Sequence, residues 1–351
     1  MPSTPTLPSS TVSQQHADLS PAIRTAKPPE EAIPFGRIPL VDFAGFRDGN
    51  AAEKQRIAQE IGQALNAVGF FYLANHGIPQ DVIDGVFGAS RAFFAHPLEW
   101  KNQVSSKKTT NHRGYFPMGA ENVDPKHTRD VKEGFDIGFE GTSAQEDETK
   151  DLRGRNQWPL DLPGFRDALE AYYRHNVELG RQLCRAFALA TGIGEGTFDQ
   201  NIERSESRMR LLSYPPQPGG PKDERSFGAG AHTDCGCLTI LAQDDVGGLA
   251  ARNAAGQWIA ADPIPGTLIC NVGDMMEQWS GGRFTSTVHR VVNSSDRTRF
   301  SIALFFNPSF DVVVDGFKSL LGHDETAPGK TTAGEYLSCC YNEIRSACQL
   351  P

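Results

Sequence analysis

Basic charge is scarce in this chain. Its 351 residues hold 34 Lys and Arg against 43 Asp and Glu, a formal net charge of -9. Proteins that grip phosphate backbones need clustered Lys and Arg, so nucleic acid is not an expected partner. Also missing is any uninterrupted apolar run long enough to cross a bilayer. The N-terminus lacks the basic-then-apolar pattern of a secretory signal, which makes the cytoplasm the expected compartment. No zinc-like spacing occurs among the seven cysteines, at positions 184, 235, 237, 270, 339, 340 and 348, and their odd count suits free thiols. A monomer or weak homo-oligomer is expected.

What is present sorts into three stretches. Residues 1–35 are rich in Pro, Ser and Thr with few large apolar groups, too little to offset the entropy of ordering, and read as a disordered leader. Residues 36–200 read as an α/β support region. A helix starts after Asn50, with Glu53 completing a capping-box-like entry, carries Ile57, Ile61, Leu65 and Val68 on one face, and ends at Gly69. The run from Phe70 to Leu73 follows as a buried strand, Pro79 opens a second helix, and a long helix spans roughly Leu162 to Gly192. Residues 201–351 hold several short strands with turns between them, among them a hairpin about Asn253 to Gly256, and then a closing helix that caps the barrel. Strands without intervening helices predict two facing antiparallel sheets.

One constellation in that last stretch carries chemistry. His232 and Asp234 are two apart, so on an extended strand both reach the same face. His289 lies in a second run rich in β-branched residues, Thr285 to Val292. Two imidazoles and one carboxylate on one side of a metal, with open positions opposite, suit non-haem Fe(II) handling O2. Ten residues beyond His289, Arg299 and Ser301 share a strand face within an apolar run. A buried guanidinium is costly unless an anion meets it, and with a hydroxyl beside it makes a seat for a carboxylate. Continuing the same period places Ala303, Phe305 and Asn307 on the inner face, which makes Phe305 and Asn307 candidate substrate residues. Arg210, Leu212 and Tyr214 share a face by the same rule, and Arg210 is a candidate to meet an anionic group of the substrate. Cys235 and Cys237 are expected to point away from the metal face, against thiolate ligation.

His-x-Asp, a distant His and Arg-x-Ser in this order resemble the signature of the Fe(II)/2-oxoglutarate-dependent dioxygenases, in the branch that includes isopenicillin N synthase. The runs Ile38 to Phe43 and Gly69 to Pro79 resemble that family's N-terminal region. The resemblance implies a mainly β protein with flanking helices, a distorted jelly roll (double-stranded β-helix, cupin-like) fused to the α/β support. It implies that His232, Asp234 and His289 hold Fe(II), and that Arg299 and Ser301, with Tyr214 nearby, bind 2-oxoglutarate. O2 is the other cosubstrate, and a small molecule is hydroxylated, desaturated or cyclised with release of succinate and CO2. The family usually has Asn-Tyr-Tyr-Pro where this chain has Leu212, Ser213, Tyr214 and Pro215, so the Tyr place is kept and further polar contacts from that strand are not implied. Segments that cover the active-site mouth in the family correspond to those holding Tyr115, Phe116 and Asp136, which adds these three as substrate candidates. Three alternatives stay open: an oxidase of the isopenicillin N synthase type that needs no 2-oxoglutarate, an ethylene-forming enzyme, and a non-catalytic small-molecule sensor.

Overall fold

A computed structural model describes residues 35–123, 130–140, 152–220, 227–314 and 331–346. The expected leader, 1–35, and Cys348 lie outside the described residues, apart from Phe35. In chain order the strands are β1 Leu40–Asp42, β2 Phe70–Ala74, β3 Gly114–Phe116, β4 Glu133–Gly138, β5 Arg208–Tyr214 and β6 Ala229–His232. They continue with β7 Leu238–Gln243, β8 Leu249–Arg252, β9 Trp258–Ala260, β10 Thr267–Val272, β11 His289–Val291 and β12 Arg299–Phe306. The helices are α1 Ala44–Asp48, α2 Ala51–Ala67, α3 Gln80–Phe94, α4 Leu98–Lys101, α5 Phe165–Thr191, α6 Asp274–Trp279 and α7 Ala333–Ser346.

Eight strands form one sheet in the order β1-β2-β10-β7-β12-β5-β4-β3, and four form a second in the order β6-β11-β8-β9. Among the described residues every named pairing except β1 with β2 is antiparallel. This is the expected jelly roll. Period-two alternation decides what each face of the large sheet meets. In β2, Phe71 and Leu73 join the core that also holds Leu183 and Phe187 of α5, whereas Phe70 and Tyr72 belong to the inner cluster with Leu212, Tyr214 and Val291. Strand β12 divides in the same way: Ile302, Leu304 and Phe306 pack in the core with α5, while Ser301, Ala303 and Phe305 line the cavity inside. Burying each of those large side chains contributes about 1.5–3 kcal/mol, which is why the helical layer fixes the register of the strand that carries Arg299. Gly180 of α5 lets helix and strand meet, since a Cβ there would fall on the Phe306 ring.

The helix starts follow their caps. The Asn50 side chain accepts from the Glu53 backbone N at 3.0 Å, and Pro79 precedes α3. Asn253 organises the β8-β9 hairpin by accepting from Ala255 N and Gln257 N. No described helix is long and apolar enough to cross a membrane.

Three local expectations are revised. The strand predicted over Thr285 to Val292 pairs only at His289–Val291. The segments of Tyr115, Phe116 and Asp136, expected to cover the mouth, are strands of the sheet itself: they form β3 and β4, hydrogen-bonded side by side onto β5. Buried at every position but Glu133, they complete the large sheet, so the N-terminal region supplies four of its eight strands. Finally, the strand carrying His232 stops there. Beyond it Asp234 O accepts from Asp274 N at 2.8 Å, and Cys235 O accepts from Met275 N at 3.2 Å, so the backbone turns to meet the start of α6.

Candidate active site and metal centre

His232 and His289 are direct partners across β6 and β11, their ring centroids 4.3 Å apart. Asp234 reaches them from the turn, with Oδ1 3.9 Å from His232 Nε2 and 3.8 Å from His289 Nε2. One ligand atom from each of the three lies within 4.8 Å of the others. Backbone carbonyls set the ring tautomers. Nδ1 of His232 meets Gly230 O at 2.7 Å, and Nδ1 of His289 meets Thr287 O at 3.1 Å. A carbonyl only accepts, so each Nδ1 carries the proton and each Nε2 lone pair faces the centre. Asp234 Oδ2 accepts from Thr239 Oγ1 at 2.6 Å and Asn271 Nδ2 at 2.7 Å, which leaves Oδ1 for a metal.

For His232 and Asp234, electrostatics favour the same states. Burial, with His289 adjacent, lowers the His232 imidazole to about 3. Burial pushes the Asp234 carboxyl up, but His289, His232 and the hydrogen bonds from Thr239 and Asn271 outweigh it and hold it below the usual range. Neutral imidazole and ionised carboxylate are the forms that bind metal. Thr239 and Asn271 escaped the sequence reading. The one signal was Asn271 itself, an amide within the apolar strand Thr267–Val272.

Arg299 is fully buried, at 0% exposure. Its Nε donates to Gly247 O at 2.7 Å, Nη1 to Ser301 Oγ at 2.9 Å and Nη2 to Gln243 Oε1 at 3.3 Å. Every one of these acceptors is neutral, and among the described residues no carboxylate forms an ion pair with it. A desolvated guanidinium without a counter-charge is the feature that fits the far carboxylate of a keto acid.

One cavity takes in the triad, Arg299, Ser301 and Tyr214 together. Of the substrate candidates, Arg210, Phe305 and Asn307 line it. The polar atoms of Asn307 are engaged by backbone, accepting from Cys237 N at 3.0 Å and donating to Glu206 O at 3.4 Å. Tyr115 is turned into the core, where its hydroxyl donates to Glu133 Oε2 at 2.7 Å. Phe116 lies behind Arg210, its ring centroid 4.7 Å from Cζ, and Asp136 accepts from Arg210 Nε at 2.8 Å. None of these three lines the cavity. Cys237 is core, as expected, but Cys235 lines the cavity because the turn at Asp234 breaks the period. A hydrogen bond with Cys340 and burial push the Cys235 thiol well up, which opposes thiolate ligation. The closing helix α7 forms one wall with Leu337, Cys340, Tyr341 and Ile344. The six cysteines among the described residues are all free.

The chain matches known proteins along most of its length. A family model for the N-terminal part of non-haem dioxygenases of morphine synthesis covers residues 38–161, and that of the 2OG-Fe(II) oxygenase superfamily covers residues 205–308. A 2-oxoglutarate-Fe(II) type oxidoreductase of Emericella nidulans, hxnY, is 34% identical over 78% of this chain and 80% of its own length. This chain belongs to the 2-oxoglutarate-Fe(II) oxygenases. A homoarginine-6-hydroxylase of Arabidopsis thaliana is 36% identical over 81% of this chain and 88% of its own. A solved structure of a full-length Neurospora crassa protein, in complex with alpha-KG and thymine, superposes with a TM-score of 0.75 at 31% identity, covering 88% of this oxygenase and 97% of that chain. The enzyme therefore uses Fe(II), 2-oxoglutarate and O2.

Proposed function

We propose that His232, Asp234 and His289 hold the Fe(II), that Arg299 and Ser301 with Tyr214 seat the far carboxylate of 2-oxoglutarate, and that a small-molecule substrate occupies the rest of the same cavity. The observation carrying this reading is the buried, carboxylate-free Arg299 in the cavity that also holds the triad. When bound, iron and 2-oxoglutarate supply an oxidant able to attack an unactivated carbon, with release of succinate and CO2. The protein's own groups hold and orient. Gly230 and Thr287 carbonyls fix the two imidazoles, Thr239 and Asn271 aim the carboxylate, and α7 with the apolar inner wall keeps water from the reacting carbon.

Residues 36–200 serve as support and 201–351 as the catalytic core, after a leader over 1–35. We place the enzyme in the cytoplasm, which the free thiols support, as a monomer or weak homo-oligomer without a nucleic-acid or membrane partner. The names of its relatives supply first substrates to try, homoarginine and thymine. The deciding experiment is aerobic turnover of the Fe(II)-loaded enzyme on a panel of flavonoids, amino acids, nucleobases and terpenoid acids, with and without 2-oxoglutarate. Succinate formed only with both 2-oxoglutarate and one substrate class is expected, with a product that gains an oxygen or loses two hydrogens. Equal oxidation without 2-oxoglutarate would make Arg299 and Ser301 a seat for substrate instead.

A further inference from the structure

A second group of buried charges meets the same cavity. Lys132 and Arg210 are both buried and both line the cavity. Lys132 Nζ donates to Asp130 Oδ2 at 2.9 Å and lies 3.9 Å from Glu121 Oε2. Arg210 donates to Glu121 through Nη1 at 2.8 Å and Nη2 at 3.0 Å, and to Asp136 through Nε at 2.8 Å and Nη2 at 2.7 Å. The two cations reach the cavity, and the three carboxylates stand behind them, none on its wall. Burial works against the Lys132 ammonium, but Asp130 and Glu121 outweigh it, so it stays protonated.

The donors are not exhausted. A guanidinium has five N–H groups and an ammonium three. Four of the first and one of the second are used, which leaves one N–H on Arg210 and two on Lys132. We propose that Lys132 and Arg210 form the specificity-determining edge of the substrate site, and that the substrate is a compact molecule presenting a carbonyl or carboxylate oxygen to it. This rests on the oxygenase reading of the cavity and adds the substrate's chemical class. A cationic substrate group is disfavoured at this edge, because it would meet two like charges, and the one carboxylate on the cavity wall, Asp234, is committed to the metal site. Phe305, 5.9 Å from Arg210 Cζ and also on the wall, supplies the apolar surface for the body of such a molecule. The edge is also tied to the metal site: Asp130 Oδ1 accepts from Gly230 N at 3.0 Å, and Gly230 O holds the His232 ring. A substrate oxygen bound here is thus held at a fixed offset from a metal ligand.

The test uses the full-length enzyme loaded with Mn(II), titrated calorimetrically first with 2-oxoglutarate and then with 2-pyridone, benzoate and benzylamine. Wild type is compared with Lys132→Arg and with the double variant Lys132→Met/Asp130→Asn, which removes the ion pair as a unit, strands no buried charge and keeps an amide oxygen at position 130 to accept from Gly230 N. At least one of the two oxygen-bearing probes is expected to bind and benzylamine to fail. The double variant should weaken that binding roughly tenfold or more, by a larger factor than it weakens 2-oxoglutarate binding, with Lys132→Arg intermediate. Preference for benzylamine, no binding of either oxygen probe, probe binding undiminished in the double variant, or a loss of 2-oxoglutarate affinity in that variant as large as its loss of probe affinity would each overturn the assignment. Loss of 2-oxoglutarate binding in wild type would instead overturn the oxygenase reading on which it rests.

Discussion

Tyr214 and Arg299 face one another as direct partners across β5 and β12, with the Arg299 guanidinium carbon 4.8 Å from the centre of the Tyr214 ring. The ring face offers the buried cation partial compensation, worth about 0.5–2 kcal/mol, and leaves its remaining N–H groups free for an anion. Arg299→Gln is therefore expected to raise the 2-oxoglutarate requirement roughly tenfold to a hundredfold, the value of a hydrogen bond to a charged group, while Fe(II) binding is retained. Titration of 2-oxoglutarate against succinate release checks it, and an unchanged half-saturation point would remove Arg299 from the seat.

In the proposed metal centre, Asp234 is aimed by Thr239 and Asn271, which hold Oδ2 and leave Oδ1 to the metal. Replacing Asn271 by Ala, or Thr239 by Val, frees Oδ2 and lets the carboxylate rotate. A loss of roughly tenfold to a hundredfold in Fe(II) affinity follows, measured by competition with a chromophoric chelator. If both variants bind iron like wild type, the orienting role is wrong.

Two glycines are expected to respond to Ala with opposite signs. At Gly273 a Cβ would fall on the backbone carbonyls of Asp234 and Gly236, which no side-chain motion relieves. Gly273→Ala should cost about 1–3 kcal/mol or more and displace a metal ligand. Gly85, in α3, has nothing within 4 Å of the same position, and Gly85→Ala should stabilise by about 0.5–1 kcal/mol. Urea denaturation of the metal-free proteins measures both.

Chelation should lower the melting temperature of the Fe(II)-loaded enzyme, because a ligand that binds only the folded state adds about 2.7 kcal/mol at a hundred times its Kd. In His232→Ala the shift should vanish. A chelator effect of the same size in that variant would locate the stabilising metal elsewhere.

How much of this was legible beforehand depended on how local the physics is. The ligands and Arg299 stood out because His, Asp and Arg are expensive inside strands, and the caps at Asn50 and Pro79 act over a single helical turn. The turn at Asp234 did not stand out. It is enforced by α6, forty residues later, through hydrogen bonds to Asp234 and Cys235 carbonyls, and for that reason strict alternation misplaced Cys235. Lys132, Asp130 and Glu121 carry no signal of their own in the sequence, and come together beside Arg210 only when β4 docks on β5. The Tyr115, Phe116 and Asp136 segments were hidden by the same kind of long-range strand pairing.

The two halves of the chemistry stand on different sheets. His232 and His289 belong to the four-stranded wall, while Arg299, Ser301 and Tyr214 belong to the eight-stranded one. Whatever spans from the imidazoles to the guanidinium fastens wall to wall like a rivet. With the proposed seating, loading this enzyme and stiffening it are a single event, and converting the spanning molecule into a shorter one loosens the barrel from within.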